Sequence, residues 1–362
     1  MANLLVMGFE RLSSTYLNHA NIWDITAPVF AYTGVLVPRA GGSTQGITPS
    51  AFERRGVKSL GANYSRLFCG LGYMIRSAAI SATPVNCTFT LFDGTTAQIG
   101  WKVRSDGSIS VHAGDSTAAT LLGQTAAGVI VAAGTSGTSS DYRMIELEAV
   151  AGTGTSGSFK LRVADVEVLN VSGVNTAPSG TAQYNRFRLI NCASGSMGEY
   201  QDDLYINDDS GSAPENTFFG EAFVVESLFP NGNGNSSQWV GSDGNSTDNY
   251  LLVDDNGNDD TDYVKSGTLN DVDTYAMSDL ANTTGTVIRA NHMFVARKDD
   301  VATRTLASTL RTNSTDYVSG TNKTMAGTYA AFLDSRTINP DTSLRFTIAE
   351  LNAIECGQKV TT

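Results

Sequence analysis

Residues 198–223 read GEYQDDLYINDDSGSAPENTFFGEAF, and the alternation in this stretch decides the fold class. Taken with a period of two, Leu204 and Ile206 share one face with Asp202, while Asp203, Tyr205 and Asn207 take the other. Two acids followed by Leu-Tyr-Ile predict a strand with charge at its mouth. The run DDSGSAPEN carries the Asp, Gly and Pro of a turn that ends it. A second strand is expected from Thr217 to Phe229, stopped by Pro230. Together these read as the closing hairpin of a β-sandwich.

The stretches before it carry the same signature. Tyr64–Ser77 places Leu67, Cys69, Leu71, Tyr73 and Ile75 on one face. Asn86–Phe92 is stopped by Asp93-Gly94, and Gln98–Arg104 and Ser108–His112 flank a turn at Ser105-Asp106-Gly107. Asp-Gly between two alternating runs predicts a hairpin. Further strands are expected at Gly128–Ala133, Arg143–Val150, Ser158–Val163, Val166–Val171 and Arg186–Cys192, with a tight turn at Ala164-Asp165. Short strands with regular turns predict a large antiparallel sandwich over residues 1–229. The Asn/Gly run PNGNGNSSQ after Phe229 reads as a linker, which puts a domain boundary at 229/230. Residues 230–362 then show fresh strands at Tyr250–Val253, Val287–Arg297, Arg304–Arg311 and Thr324–Phe332. A short helix is expected over Thr347–Ala353, with Thr347 as its cap and Glu350 completing the capping box. This half reads as a second, smaller β-sandwich.

Composition narrows the partners. Charged residues make up 17% of the chain, too few for surface helices, and the net charge is −12. Such a surface repels phosphate backbones, so nucleic acid is not an expected partner. No apolar run reaches the length of a membrane span, and Met1–Met7 lacks the basic start of a secretion signal. Cys69, Cys87, Cys192 and Cys356 are too scattered for a metal motif and read as buried thiols.

The series GWKVRSDGSISVHAG, YRMIELEAV, GSFKLRVADVEVLNVSG and QDDLYINDDSGSAPENTFFGEAFV resembles the concanavalin A-like, or laminin G-like, jelly roll. It is most similar to the versions found in tailed-bacteriophage virion structural proteins. Asp141-Tyr142-Arg143 replaces the usual Trp-His before the Ile-Glu-Leu strand. The second half resembles phage virion proteins in its DDTDYV run and its NPDT…FTIAELNA ending. The resemblance implies a non-catalytic virion protein, made in the bacterial host cytoplasm and released by lysis. It would be tail-associated, a fibre or receptor-facing adhesin, or else a capsid decoration or cement protein. Its partners would be copies of itself, other virion proteins and a host-surface glycan or receptor. A third reading, from another class, is a polysaccharide-degrading glycosidase of jelly-roll fold.

Three sets of residues bear on these readings. Glu146 and Glu148 share one face of a strand, as a glycosidase pair requires, but Ala149, Val150 and Ala151 follow where a third carboxylate belongs. Trp239 and Tyr250 are candidates to stack on a sugar, whereas Trp101, in an alternating strand, reads as core. Asp254, Asp255, Asn256, Asp259, Asp260 and Asp262 offer oxygens for a hard cation such as Ca²⁺, the alternative being a plain acidic turn; no other cofactor is expected. Asp202 and Asp203 point to opposite faces and converge only if the strand bulges. His19, His112 and His292 have no nucleophile or metal ligand beside them in sequence.

Overall fold

The computed structural model describes residues 3–7, 25–27, 54–75, 87–115, 119–130, 141–191, 199–254 and 260–362. The described residues up to Val225 form one compact unit and those from Glu226 another. The fold is all-β, as the alternation predicts.

The first unit is built from β1 (Asn3–Met7), β2 (Ile25–Ala27), β3 (Arg54–Tyr64), β4 (Arg66–Ile75), β5 (Phe89–Asp93), β6 (Thr96–Val103), β7 (Ile109–Ala113), β8 (Thr120–Gln124), β9 (Arg143–Val150), β10 (Gly157–Val163), β11 (Val166–Val174), β12 (Tyr184–Asn191) and β13 (Glu199–Asp208). They form two antiparallel sheets. One has six strands in the order β1-β13-β4-β9-β10-β11, the other seven in the order β2-β3-β12-β5-β6-β7-β8. The expected β6–β7 and β10–β11 hairpins are present. The second turns through Ala164 (φ 48°) and Asp165 (φ 66°), the left-handed pair a tight hairpin needs. Between the sheets lie Leu67, Leu71, Phe89, Trp101, Leu147, Leu161 and Leu189, none of them accessible to solvent. Residues 128–130, expected to open a strand, form a turn and bend instead.

Two features of the deciding stretch differ from the simple alternation. A bulge at Asp203 (φ 51°) interrupts β13. Asp202 pairs with Gly72 and Tyr205 with Gly70, so Asp202 joins Tyr205 on the outer face rather than Leu204 and Ile206 on the inner one. The residue before it, Gln201, points inward and donates to Ile190 O of the opposite sheet (3.1 Å). The expected strand from Thr217 to Phe229 is also absent. Its amides are taken by side chains instead of a neighbouring strand. Gly220 N donates to Glu146 Oε1 (2.7 Å), Glu221 N to Asp165 Oδ1 (3.1 Å) and Val225 N to Asp203 Oδ1 (2.7 Å). The segment lies over the outer face of the six-stranded sheet as a strap, with Phe219 and Phe223 packed on the Tyr205 ring.

The second unit holds β14 (Pro230–Ser237), β15 (Val240–Gly241), β16 (Val264–Lys265), β17 (Val272–Met277), β18 (Ala290–Ala296), β19 (Thr305–Thr312), β20 (Thr315–Val318), β21 (Lys323–Thr324), β22 (Ala330–Arg336) and β23 (Glu355–Val360). A six-stranded sheet runs β14-β17-β23-β19-β20, with β21 on β19. The β18–β22 pair closes a core of Trp239, Phe294, Leu306, Met325, Phe332 and Val360. The helix, Ile348–Asn352, carries the expected capping box of Thr347 and Glu350. Tyr250–Val253 is not a strand: residues 249–252 form a 3-10 turn.

The run expected to be a linker is an edge strand. Its Asn and Gly side chains give no strand propensity, but glycine is what the pairing with β17 requires. A Cβ on Gly234 would sit 2.4 Å from Thr274 Oγ1 and 2.6 Å from its carbonyl carbon. Gly234→Ala is therefore expected to push β14 off the sheet at a cost of about 2 kcal/mol, read as a lower urea midpoint of the full chain. An unchanged midpoint would show that the edge is not held this closely.

Candidate functional site

Polar side chains are buried on the outer faces of both sheets of the first unit, with different consequences. On the six-stranded sheet, Glu146 and Glu148 do share a face, across from Arg162 and Lys160 of β10. Glu148 is held by Arg66 (2.5 Å) and Lys160 (3.3 Å). Glu146 has no solvent exposure. It accepts a short hydrogen bond from Tyr205 Oη and one from Gly220 N, with Arg162 Nη1 at 3.7 Å. Burial raises its pKa above the ordinary carboxylate range, against the lowering pull of Tyr205, Gly220 and Arg162. The strap seals this carboxyl away from any sugar, so Glu146 and Glu148 do not form a glycosidase pair.

The seven-stranded sheet also carries polar residues on its outer side, and they too are buried, Thr90 and Ser110 completely. Phe89, Leu91, Ile99, Trp101, Val103, Ile109, Val111, Phe187 and Leu189 fill the core side. Trp101, as expected, is core and stacks on Phe89 at 4.5 Å. Alternation then turns Thr88, Thr90, Gly100, Lys102, Ser110, His112, Arg186 and Arg188 to the outer side. The register aligns them in rows across the strands. Arg188 of β12 pairs with Thr90 of β5, Thr90 with Gly100 of β6, Gly100 with His112 of β7, and His112 with Leu121 of β8. Beside this row, Lys102 pairs with Ser110 and Ser110 with Gln124. Glycine is required in the middle at Gly100, since a Cβ there would meet Phe89 O at 2.4 Å and Thr90 Oγ1 at 2.9 Å.

The electrostatics of the row are unusual for an acidic chain. Lys102, Arg186 and Arg188 share the face, with Arg104 just past the end of β6. Lys102 and Arg188 are 4% and 9% exposed, so both are deeply set. The Arg188 guanidinium lies over the Phe92 ring (5.0 Å) and pairs with Asp115. His112 Nε2 lies 2.9 Å from Ser110 Oγ. Burial lowers the His112 pKa, and Lys102 and Arg104 lower it further, which leaves a neutral imidazole at pH 7. Burial also pushes the Cys87 thiol up to about 12 despite Lys102 and Arg188, so it is an inert neighbour. Sequence reading passed over this face because its residues are scattered between positions 88 and 188. The signal available was parity: each basic residue sits on the polar side of its strand.

The sites expected from sequence lie elsewhere. Trp239 is 6% exposed within the core of the second unit, so its ring offers no face to a sugar. Tyr250 is half-buried on the 3-10 turn at 249–252. Asp260 accepts from Arg297 Nη2 (2.9 Å) and Tyr329 Oη (2.8 Å). Asp254 and Asp262 are half-buried, and Asp255, Asn256 and Asp259 lie outside the described residues. Among the described residues no three His, Cys, Asp or Glu side chains converge on a metal position. Asp202 and Asp203 are both buried; Asp202 Oδ1 accepts from Asp203 N (2.9 Å), which makes them supports of the bulge and strap. His292 is half-buried against Ser308 Oγ (2.6 Å), and burial lowers its pKa to about 4. His19 lies outside the described residues.

No protein-family model matches the sequence, and no curated protein matches it. Solved structures do. The chain is similar to an endo-β-1,4-glucuronan lyase from the fungus Trichoderma reesei, at 10% identity and a TM-score of 0.37, over 52% of this chain and 92% of that one. It is similar to an alginate lyase at 10% identity and a TM-score of 0.35, over 56% and 96% of the two chains. A carbohydrate-binding module from Bacillus subtilis matches at 11% identity and a TM-score of 0.29, over 45% and 92%. Likeness at this level is one of fold. The expectation of a virion component, whether tail fibre or capsid decoration, is corrected to this extent: the solved structures that share the fold are described as lyases and a carbohydrate-binding module.

Proposed function

We propose that the first unit binds an acidic polysaccharide across the strands of its seven-stranded sheet. The observation that supports this is the row Arg188–Thr90–Gly100–His112, with Lys102 and Ser110 alongside. Neighbouring strands are about 4.8 Å apart, so the row spans roughly 14 Å, enough for a short run of sugar rings. A guanidinium matches a carboxylate bidentately, and an ammonium adds a second charge beside it. Arg188 and His112, each 9% exposed, are the members of the row nearest to solvent. A chain of net charge −12 repels a polyanion on average, so capture depends on local cations such as these.

The test is titration of the full chain with polygalacturonate and with a neutral glucan. Lys102→Met and Arg188→Gln keep most of each side chain's bulk while removing its charge. Each is expected to weaken polygalacturonate binding roughly tenfold, and added salt to weaken the wild type. Equal binding of the neutral glucan, or variants that bind like the wild type, would overturn the reading.

The neutral His112 beside Lys102 favours a second reading, cleavage by β-elimination. In that step His112 takes the proton on C5 of a uronate, the C4–O bond breaks, and a C4=C5 double bond forms. The departing oxygen is protonated by solvent. Wild-type protein would then generate ultraviolet absorbance from the unsaturated product, and His112→Gln would abolish it without abolishing binding. No absorbance with the wild type leaves binding alone.

A further inference from the structure

We infer that His292 is an acid-sensitive latch: neutral, it holds the β18–β22 pair closed on the six-stranded sheet of the second unit, and a proton on its ring releases the pair. The inference is independent of the polysaccharide reading, which concerns the first unit. The geometry that carries it is the way the pair is attached. Among the described residues, β18 and β22 form a ladder only with each other. Side chains hold them against the neighbouring sheet. Phe294 and Phe332 pack with Leu306, Val360, Met325 and Trp239. Beside that apolar contact sits a polar one. His292 Nδ1 lies 2.6 Å from Ser308 Oγ of β19, and its Nε2 lies 3.5 Å from Gln358 Nε2 of β23. Ser308 is buried and pairs with Gln358 across the ladder.

A neutral ring fits this place. It accepts from the Gln358 amide at Nε2 and donates from Nδ1 to Ser308 Oγ. A protonated ring turns a second N–H toward the Gln358 amide, donor against donor, and puts a charge between the sheets. The groups that face the ring decide whether that charge finds a partner. β22 presents Asp334, directly across from His292, and Arg336. Asp334 is already engaged by Ser319 Oγ (3.2 Å) and Arg336 Nη2 (3.4 Å), and Arg336 adds a like charge. β19 presents the Ser308 hydroxyl. β23 presents Gln358 and the Cys356 thiol, which burial pushes up to about 12 and so keeps neutral. Burial lowers the His292 pKa to about 4, with Asp334 pulling it up and Arg336 down. An exposed histidine takes its proton at about 6.5. The released pair therefore binds a proton more tightly than the closed one. The stability of closure is full above that ordinary value and is lost as pH falls toward 4.

The two values set the size of the effect. Between pH 7 and pH 4 the opening equilibrium is expected to rise roughly hundredfold. Hydrogen–deuterium exchange of the full chain, corrected for the intrinsic effect of pH, reads it in the peptides that span β18 and β22. Protection there should fall roughly hundredfold while β19 and β23 keep theirs. His292→Gln leaves a neutral amide that does not titrate, and should lose far less protection over the same range. An equal loss in wild type and variant, or none in the wild type, would overturn the latch. If His292→Gln is already open at pH 7, Gln358→Glu supplies the test. Its carboxylate beside Nε2 accepts from the protonated ring and should keep the pair closed in acid. Failure of that variant to stay closed would overturn the inference.

Discussion

Replacing Glu146 with alanine is expected to cost the first unit roughly 3–5 kcal/mol, seen as a large drop in its urea midpoint. The carboxylate is wholly buried and serves three partners at once, Tyr205 Oη, Gly220 N and Arg162. Alanine leaves a buried hydroxyl and a buried amide without their acceptor, which is worse than never having placed them there, and Arg162 keeps only Asp165 (3.0 Å). It also frees the strap at the residue on which Phe219 and Gly220 close. Glutamine separates charge from hydrogen bonding, because its carbonyl still accepts from Gly220 N and Tyr205 Oη. Burial holds the Glu146 carboxyl above its ordinary pKa. The folded chain therefore binds that proton more tightly than the unfolded chain does. The stability this contributes is full below the unfolded carboxyl's pKa and is lost as pH rises through the folded one. Glu146→Gln carries no such loss. Its stability relative to the wild type should rise from mildly acidic to neutral pH, and a difference that stays flat across that range would sink the argument.

The parts of this chain that were legible from sequence are those where one local rule settles the outcome. Alternation placed β4, β6, β7, β9 and β10, and Asp106-Gly107 and Ala164-Asp165 marked their turns. Thr347 and Glu350 fixed the helix start because a capping box involves only four consecutive residues. What stayed hidden depends on partners distant in sequence. Residues 217–225 look like a strand, but carboxylates on β9, on β13 and in the β10–β11 turn claim their amides first. Residues 230–237 look like a linker, yet the close approach of β17 makes Gly234 an asset. The bulge at Asp203 reverses the face of Asp202, and period-two reading has no term for an inserted residue. The cationic row is the clearest case. Lys102, His112 and Arg188 are each unremarkable within their own strands, and only the register of four strands makes them neighbours.

The second unit has a comparable buried anchor, and Asp273→Ala is expected to cost it about 3 kcal/mol. Asp273 has no solvent exposure. Its Oδ2 accepts from Asn249 Nδ2 (2.7 Å) and Tyr275 Oη (2.8 Å), and its Oδ1 from Trp239 N (3.3 Å). Asn249 in turn donates to Trp239 O (3.0 Å). One carboxylate thus ties the 3-10 turn at 249–252 to β17 and to the backbone of the largest core side chain. Alanine orphans three buried donors together. Asparagine keeps one acceptor oxygen but turns an NH₂ group toward donors, so it should fall between alanine and the wild type. Burial also raises the Asp273 pKa, so the wild type itself loses part of this contribution as pH rises above the ordinary carboxylate range. Urea melts of the three proteins at neutral pH test the order. A loss for alanine no larger than for an exposed substitution, about 0.5 kcal/mol, would mean that water or a rearranged turn replaces the carboxylate.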